Sequence, residues 1–104
     1  MHWLLDSSQL NLIVPDGRQV PLSYNEWRVL RAVANADGNL VSRKVLIEAL
    51  DQNFLHYDER RLESLISRLR RKLAPYAPDG FPVRGVKGQG YLFGVRLQEV
   101  EIQE

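Results

Sequence analysis

Apolar and polar residues alternate in three short segments near the start of the chain. Residues 2–5, 10–14 and 19–22 are rich in Leu, Ile and Val, and this period of two predicts β-strands. A Pro-Asp-Gly sequence at 15–17 predicts a tight turn, because Pro fixes one backbone φ and Gly permits a positive φ. The N-terminal segment is therefore expected to form a small antiparallel sheet.

The next two apolar segments follow a helical period. Ser23 and Glu26 have the spacing of a capping box, which predicts a helix that ends at about residue 36. Residues 40–41 predict a bridging strand, and Ser42 is expected to cap a second, shorter helix. The positions expected to face inward are Trp27, Leu30, Val33 and Ala34 in the first helix and Val45, Leu46, Ala49 and Leu50 in the second.

Residues 58–73 predict a third helix that is apolar on one side and cationic on the other. Asp58 is the expected N-cap, and Pro75 stops the helix shortly after residue 73. At 3.6 residues per turn, the apolar stripe consists of Leu62, Ile66, Leu69 and Leu73. On or near the opposite side lie Arg61, Ser64, Arg68, Arg71 and Lys72.

The period returns to two in residues 83–96, which predicts a β-hairpin. Its glycine-flanked tip carries Lys87 and Gln89, while Tyr91 and Phe93 have the spacing of core aromatics. The domain core is expected at about 3–97, followed by an acidic tail, 98–104, that frays. The predicted fold class is α+β: a winged helix-turn-helix with an N-terminal antiparallel β-sheet, three helices and a C-terminal β-hairpin wing.

Composition narrows the classes of function. A chain of 104 residues is expected to form one domain, and the lack of cysteine excludes thiolate nucleophiles and Cys-based metal sites. His2 and His56 have neither metal-ligand nor catalytic-triad spacing, so we expect no enzyme, no metal and no cofactor. No apolar segment approaches the roughly 18–20 residues of a membrane span, and the first residues do not resemble a signal peptide. We therefore expect a cytoplasmic protein with no membrane partner.

The basic residues are concentrated in one part of the chain, although the net charge is only +1. Residues 60–96 contain nine Lys or Arg against two acidic residues, a net charge of +7, whereas the remainder carries five against eleven, a net charge of −6. A basic region of this size is the expected footprint of a polyanion site. The nearly neutral net charge of the whole chain argues against indiscriminate binding of nucleic acid.

Four short blocks occur in a distinctive order: PLSYNE at 21–26, GNLVSR at 38–43, ISRLRRKL at 66–73 and VKGQGYLF at 86–93. Together they resemble the DNA-binding domain of OmpR/PhoB-type regulators, and the resemblance covers residues 3–95. It implies the output domain of a bacterial transcription regulator of the two-component response-regulator type, with double-stranded DNA as partner. Relatives usually carry an N-terminal receiver domain and bind direct repeats as tandem dimers, so this chain is either an isolated C-terminal domain or a protein that acts without a receiver.

The helical pattern and the resemblance together assign the third helix to the DNA major groove. The side chains expected at base edges are Arg61, Ser64, Leu65 and Arg68. Arginine can donate two parallel hydrogen bonds to guanine, which discriminates against a wrong base by roughly 1–3 kcal/mol, and Leu65 can meet a thymine methyl group.

Flanking residues are expected to bind phosphate. On the third helix these are Arg60, Arg71 and Lys72. Arg43 resembles a phosphate contact of the family, and Lys44 lies beside it at the N-terminal tip of the second helix. Arg70 is expected instead to pack its stem beside the apolar stripe and to pair with a carboxylate on the side of Glu63.

The wing departs from the family pattern. The family usually has arginine at the position of Lys87, often threonine at that of Gly85 and often arginine at that of Leu92. Lysine is a point charge that cannot form a forked contact with a base. We therefore predict that Lys87 contacts phosphate and that the wing reads little sequence.

The loop at 51–56 carries two large apolar residues, Phe54 and Leu55. The resemblance implies a contact with RNA polymerase if they are exposed; the alternative is that they fill the core beneath the loop. A second class of function also stays open, namely a winged-helix protein-protein interaction module whose basic face binds an acidic partner. The acidic tail is a candidate for damping non-specific DNA binding.

Overall fold

A computed structural model describes residues 3–76, 83–94 and 96–102. In chain order its elements are β1 (Trp3–Asp6), β2 (Asn11–Ile13), β3 (Gln19–Pro21), α1 (Tyr24–Asn35), β4 (Val41–Ser42), α2 (Arg43–Ala49), α3 (Glu59–Leu73), β5 (Val83–Val86), β6 (Gly90–Phe93) and β7 (Leu97–Val100). Short 3₁₀ turns at Phe54–His56 and Ala74–Tyr76 flank α3. The predicted order of an N-terminal sheet, three helices and a hairpin is confirmed.

The N-terminal sheet contains one strand more than the sequence predicts. Its order is β3-β2-β1-β7, with β1–β2 and β2–β3 antiparallel as predicted and β7 parallel to β1. Trp3 lies opposite Leu97, so the sheet joins the two ends of the described chain. The prediction of a frayed tail from residue 98 is therefore wrong for residues 98–100, whereas residues 103–104 lie outside the described part.

Hydrogen bonds explain why an acidic segment lies on the sheet. The Ser7 hydroxyl donates to Glu99, and the indole N–H of Trp27 donates to Ser7 Oγ at 3.0 Å. Arg31 Nε lies 3.4 Å from Glu99 Oε2. Asp6, which is 3% exposed, accepts from the backbone N–H of Ile102 at 3.3 Å. Glu99 of the acidic segment is thus satisfied by Ser7, which follows β1, and by Arg31 on α1, while the backbone of Ile102 is held by Asp6 of β1.

The first two helices begin where predicted but bury slightly different faces. Both capping-box bonds form, at 3.1 Å from the Glu26 backbone N–H to Ser23 Oγ and at 2.8 Å from the Ser23 backbone N–H to Glu26 Oε1. In α2 the prediction of an inward Val45 is wrong, because the buried stripe runs through Leu46 and Ile47 while Val45 is 49% exposed. Successive helix residues differ by about 100°, so an apolar residue beside the stripe can face solvent.

One hydrophobic cluster receives side chains from the three helices and both sheets. The predicted stripe of α3 is confirmed, since Leu62, Ile66, Leu69 and Leu73 are all buried. The second sheet has the order β4-β6-β5, and Tyr91 and Phe93 of β6 are buried as predicted. The same core therefore holds both α3 and the β5–β6 hairpin.

Candidate nucleic-acid interface

Helix α3 is anchored on its apolar side and open to solvent on the other. Asp58 is the N-cap, as predicted, and accepts from the backbone N–H of Arg60 at 3.0 Å. The last turn carries Arg70, Arg71 and Lys72, where the helix dipole favours positive charge. The packing of the apolar stripe fixes which side chains point outward.

An open cleft of about 720 Å³ runs beside the exposed face of α3. Its walls include Asn25 at the start of α1, Leu50 after α2, and Tyr57 before α3. The polar side chains of α3 that line it are Arg60, Arg61, Glu63, Ser64, Ser67, Arg68 and Arg71. The structure thus brings the predicted base-edge candidates Arg61, Ser64 and Arg68 to one surface.

Leu65 differs from the other base-edge candidates. It also borders the cleft, but it is only 8% exposed and belongs to the hydrophobic core. A side chain used for packing in the free protein has little methyl surface left for a thymine. The structure therefore does not support a base contact by Leu65.

Arg61 is held over an aromatic ring. Its guanidinium carbon lies 5.2 Å from the centroid of the Tyr57 ring, within the range of a cation–π contact. Tyr57 is itself half-buried and packs against the core. This contact restrains Arg61 without neutralising its charge, so the guanidinium N–H groups stay available to acceptors.

Several cations of this surface form no ion pair with the described residues. Arg68, Arg71 and Lys44 are exposed, and none of them lies within ion-pair distance of a described carboxylate. Lys87, at the wing tip, is likewise exposed. These four side chains keep their full charge for an external anion.

Arg60 is paired with the N-cap residue. Its Nε lies 3.2 Å from Asp58 Oδ1 and its Nη2 lies 3.1 Å from Asp58 Oδ2. The Arg60 side chain and backbone N–H lower the pKa of Asp58, and the carboxylate in turn raises the pKa of Arg60. The Arg60 side chain is 87% exposed, so water and salt weaken this pair.

Arg43 is paired across two elements. Its Nη1 donates to Glu59 Oε2 at 3.3 Å, which joins the first turn of α2 to the first turn of α3. The Arg43 side chain is only 28% exposed, and its Nε is buried with no hydrogen-bond partner among the described residues. Arg43 is therefore held close to the start of α3.

Lys72 belongs to the scaffold in this structure. Its Nζ lies 2.9 Å from Glu26 Oε1, the same oxygen that accepts from the Ser23 backbone in the capping box. Burial alone would raise the pKa of Glu26, but the Ser23 N–H and Lys72 outweigh it and lower the pKa. The pair joins the start of α1 to the end of α3, so the structure does not support a free phosphate clamp at Lys72.

Arg70 is structural, as predicted, but with a different partner. Its Nη2 donates to the backbone carbonyl of Val83 at 2.7 Å, not to Glu63. This bond ties the last turn of α3 to the first residue of the wing. The predicted carboxylate partner is therefore wrong.

The wing is a two-stranded hairpin with an exposed tip. Val86 pairs with Gly90, and Lys87, Gly88 and Gln89 form the turn between the strands. Gly88 has a φ of +76°, which favours glycine. The predicted region 83–96 includes Val95, which lies outside the described residues, and Arg96, whose Nε pairs with Asp37 Oδ1 at 3.1 Å.

In the loop between α2 and α3, one of the two apolar residues packs against the core and the other is exposed. Phe54 is half-buried and packs against the core, whereas Leu55 is 82% exposed. The Asn53 side chain accepts from the Leu55 backbone N–H at 2.9 Å and caps the 3₁₀ turn. The turn thus presents Leu55 alone as an apolar protrusion.

Five cleft residues were not identified as site residues from the sequence: Asn25, Leu50, Tyr57, Glu63 and Ser67. Tyr57 carried a usable signal, because an aromatic residue four positions before an arginine at a helix start can lie under its guanidinium. Asn25 carried none, since it reaches the cleft only through the packing of α1 beside α3.

The described residues contain neither a group of three His, Cys, Asp or Glu that could hold a metal ion nor a helix long and apolar enough to cross a membrane.

Comparison with known proteins identifies the family of the chain. Residues 17–93 match the family described as "Transcriptional regulatory protein, C terminal". The chain is 31% identical over 91 residues to the transcriptional regulatory protein AruR of Pseudomonas aeruginosa, and 35% identical over 96 residues to the two-component response regulator PhoP of the same species. These matches cover 88% and 91% of this chain but 37% and 41% of the two relatives, so the chain spans well under half of their length.

Solved structures show the same fold. The DNA-binding domain of Klebsiella pneumoniae RstA, determined in complex with the RstA box, superposes with a TM-score of 0.70 at 27% identity, covering 86% of this chain and 88% of that one. The DNA-binding domain of Escherichia coli CadC gives a TM-score of 0.74 at 25% identity, covering 90% and 87%. Because the family match spans most of the sequence and the fold agrees with it, the chain belongs to the C-terminal, OmpR/PhoB-type domains of transcriptional regulatory proteins.

Proposed function

We propose that this chain binds double-stranded DNA sequence-specifically and that α3 enters the major groove. The observation that carries the proposal is the cleft face of α3, where Arg61, Ser64 and Arg68 are exposed while the opposite face is buried in the core. A helix that is anchored in this way can insert its polar face into the groove without losing its own packing. In bacteria this function belongs to the cytoplasm, where the chromosome lies.

Arg68 is our main candidate for a base contact. It is exposed, lines the cleft and has no carboxylate partner among the described residues, so no internal ion pair has to break before it meets a guanine. Arg61 is the second candidate, and Tyr57 restrains its guanidinium on the same face. Ser64 lies between them and can donate to or accept from a base edge.

The phosphate contacts divide into two groups. Lys44, Arg71 and Lys87 are exposed and free of described ion-pair partners, so they are the primary candidates. Arg43 and Arg60 can join them only by leaving their carboxylates. Lys87 is expected to bind the backbone without reading bases, because an ammonium group lacks the forked geometry of arginine.

Selection from a random duplex library tests the proposal. The wild-type domain should enrich a short motif, and Arg68→Ala should relax or lose one or two positions of it. Lys87→Ala should lower affinity for all sequences about equally and leave the motif unchanged. Enrichment of no motif by a folded wild-type domain would refute sequence-specific binding.

Salt dependence separates this function from the alternative of a protein-interaction module with an acidic partner. Association constants for DNA fall with salt at a log-log slope of about −0.9 for each phosphate contacted, so six to eight contacts give about −5 to −7. The alternative would be favoured if the domain bound no duplex but did bind an acidic protein partner, and if Arg68→Ala weakened binding to that partner.

Further partners are part of the same proposal. We propose that two copies bind direct repeats side by side, because a single small domain gains affinity when a neighbour raises its effective concentration. The exposed Leu55 supports a contact with RNA polymerase, since a lone apolar protrusion on a surface loop can anchor in a partner's pocket. Phe54 is half-buried against the core, so we propose that it supports the loop and does not contact the polymerase.

A further inference from the structure

Two acidic residues lie at the start of the proposed recognition helix. Asp58 is the N-cap and Glu59 is the first residue of α3. Each of them holds an arginine: Asp58 binds Arg60 through both oxygens at 3.2 and 3.1 Å, and Glu59 binds Arg43 at 3.3 Å. Arg60 lines the cleft, and Arg43 lines a neighbouring hollow together with Ser67 of α3 and Lys87 of the wing, so the cationic surface around α3 is partly neutralised in the free protein.

The other cations of the interface are arranged differently. Arg68, Arg71 and Lys87 have no described carboxylate partner, and Arg61 is restrained by the uncharged Tyr57 ring. Among the cations proposed to contact DNA, the internal ion pairs therefore lie at the start of α3, whereas the Lys72–Glu26 pair at the end of the helix belongs to the scaffold.

We infer that Asp58 and Glu59 compete with DNA phosphate for Arg60 and Arg43 and thereby lower the affinity of the domain for any duplex. This inference rests on the proposed DNA binding. When Arg43 or Arg60 moves from its carboxylate to a phosphate, the freed carboxylate attracts a cation from solution. Because this uptake offsets part of the cation that the phosphate releases, the exchange releases fewer cations than a contact by an unpaired arginine.

The consequence concerns bulk DNA. Binding without sequence preference depends almost entirely on phosphate contacts, whereas Arg61, Ser64 and Arg68 add base contacts only at a matching site. Two arginines that must leave a carboxylate first add little to the electrostatic attraction. The domain therefore dissociates sooner from unrelated sequence and depends more on its base contacts.

The effect of the negative charge of Asp58 can be separated from its function as the N-cap of α3. Asparagine is as good an N-cap as aspartate, so Asp58→Asn keeps an acceptor for the Arg60 backbone N–H while it removes the charge and one of the two oxygens that hold the Arg60 side chain. Glu59→Gln likewise keeps the size of the side chain. Thermal unfolding of each variant checks that the domain remains folded.

The experiment measures the association constant for a duplex of arbitrary sequence at several salt concentrations. Asp58→Asn and Glu59→Gln should each raise it about 2- to 5-fold at about 0.1 M salt, the range that exposed ion pairs support. Each variant should make the log-log salt slope more negative by up to about 0.9. The motif selected from a random library should stay unchanged.

Asp37→Asn is the matched control. It also removes one negative charge and frees one arginine, Arg96, but it lies beyond the far end of α1 from Asn25, a wall of the cleft. The 12 residues of α1 span about 18 Å, more than the Debye length of about 10 Å at 0.1 M salt. Asp37→Asn should therefore change affinity less than about 1.5-fold.

Distinct results would overturn the inference. An equal gain from Asp37→Asn would mean that only net charge matters, and a gain from Asp58→Asn that persists when Arg60 is also replaced by Ala would mean direct repulsion of DNA. A changed motif for Glu59→Gln would make Glu59 a base reader. If wild type binds duplex and neither variant binds more tightly, the inference alone fails; if neither wild type nor variants bind duplex, the proposed function fails with it.

Discussion

Replacement of Gly90 by alanine should weaken the attachment of the wing more than any other glycine substitution in the hairpin. A Cβ atom at this position would lie 2.1 Å from the Val41 carbonyl oxygen and 2.8 Å from Ser42 Cα. These are backbone atoms of the neighbouring strand β4, so they cannot move aside as the end of a side chain can. The φ of +144° adds strain, because residues with a Cβ rarely adopt it.

The size of the effect follows from these two terms. Backbone strain of this kind costs about 1–3 kcal/mol, and displacement of packed neighbours costs about 1–3 kcal/mol more. We expect Gly90→Ala to lower the free energy of unfolding by about 2–6 kcal/mol. A domain of this size has a total stability of about 5–15 kcal/mol, so the loss is a large share of it.

Two neighbouring glycines provide matched controls. Gly88 has a φ of +76° and no atom within 4 Å of an added Cβ, so Gly88→Ala should cost only about 1–2 kcal/mol of strain. At Gly85 the nearest atom is Tyr91 Cε1 at 3.7 Å, an ordinary contact. Gly85→Ala should therefore raise stability by about 0.5–1 kcal/mol, because glycine in a strand costs more backbone entropy.

Urea unfolding of the three variants, followed by circular dichroism with m-values compared, measures the series. From the most to the least stable, the expected order is Gly85→Ala, wild type, Gly88→Ala and Gly90→Ala. If Gly90→Ala costs no more than Gly88→Ala, the close contact of β4 and β6 does not hold the wing, and the reasoning is refuted.

Two further predictions concern Glu26 and Leu55. The pKa of Glu26 is below its ordinary value of 4.5, so its stabilising contribution is complete above that pH and is lost as the pH falls through the lower folded value. Glu26→Gln should thus lower the free energy of unfolding at pH 7. The difference in free energy of unfolding between the variant and wild type should shrink below about pH 4.5. A difference that stays constant down to pH 3 would contradict this prediction. Leu55→Ala should leave folding and DNA affinity unchanged, because the side chain is 82% exposed, but should reduce transcription in vitro from a promoter that the protein activates; unchanged transcription there would count against a polymerase contact.

Local patterns predicted the helices well because their determinants lie close together in the chain. The spacing of Ser23 and Glu26 identified the start of α1, and the apolar stripe of α3 followed from its period. The burial of Leu65 is more difficult to predict, because Leu65 lies about 70° from the centre of the stripe, where burial depends on how closely the neighbouring elements pack. A helical pattern predicts the direction in which a side chain points, but it does not predict how far the neighbouring elements cover the surface of the helix.

Pairings between distant residues could not be read from the sequence. Lys72 and Glu26 are 46 positions apart, and only the packing of α1 against α3 brings them within 2.9 Å. Arg70 reaches a backbone carbonyl, which every residue has and no pattern marks. The acidic segment that forms β7 has the composition of solvated chain, and the partners of Glu99 are distant in the sequence: Ser7, which follows β1, and Arg31, on α1.

The pairing of β7 with β1 also affects when the domain can fold during synthesis. Trp3 is among the first described residues to leave the ribosome, but its partner Leu97 is among the last. Until β7 emerges, β1 remains an edge strand with unpaired backbone groups, and the connection that must close spans nearly the whole domain. The nascent chain can form its helices as they emerge, but it completes the N-terminal sheet only after the wing has been synthesised.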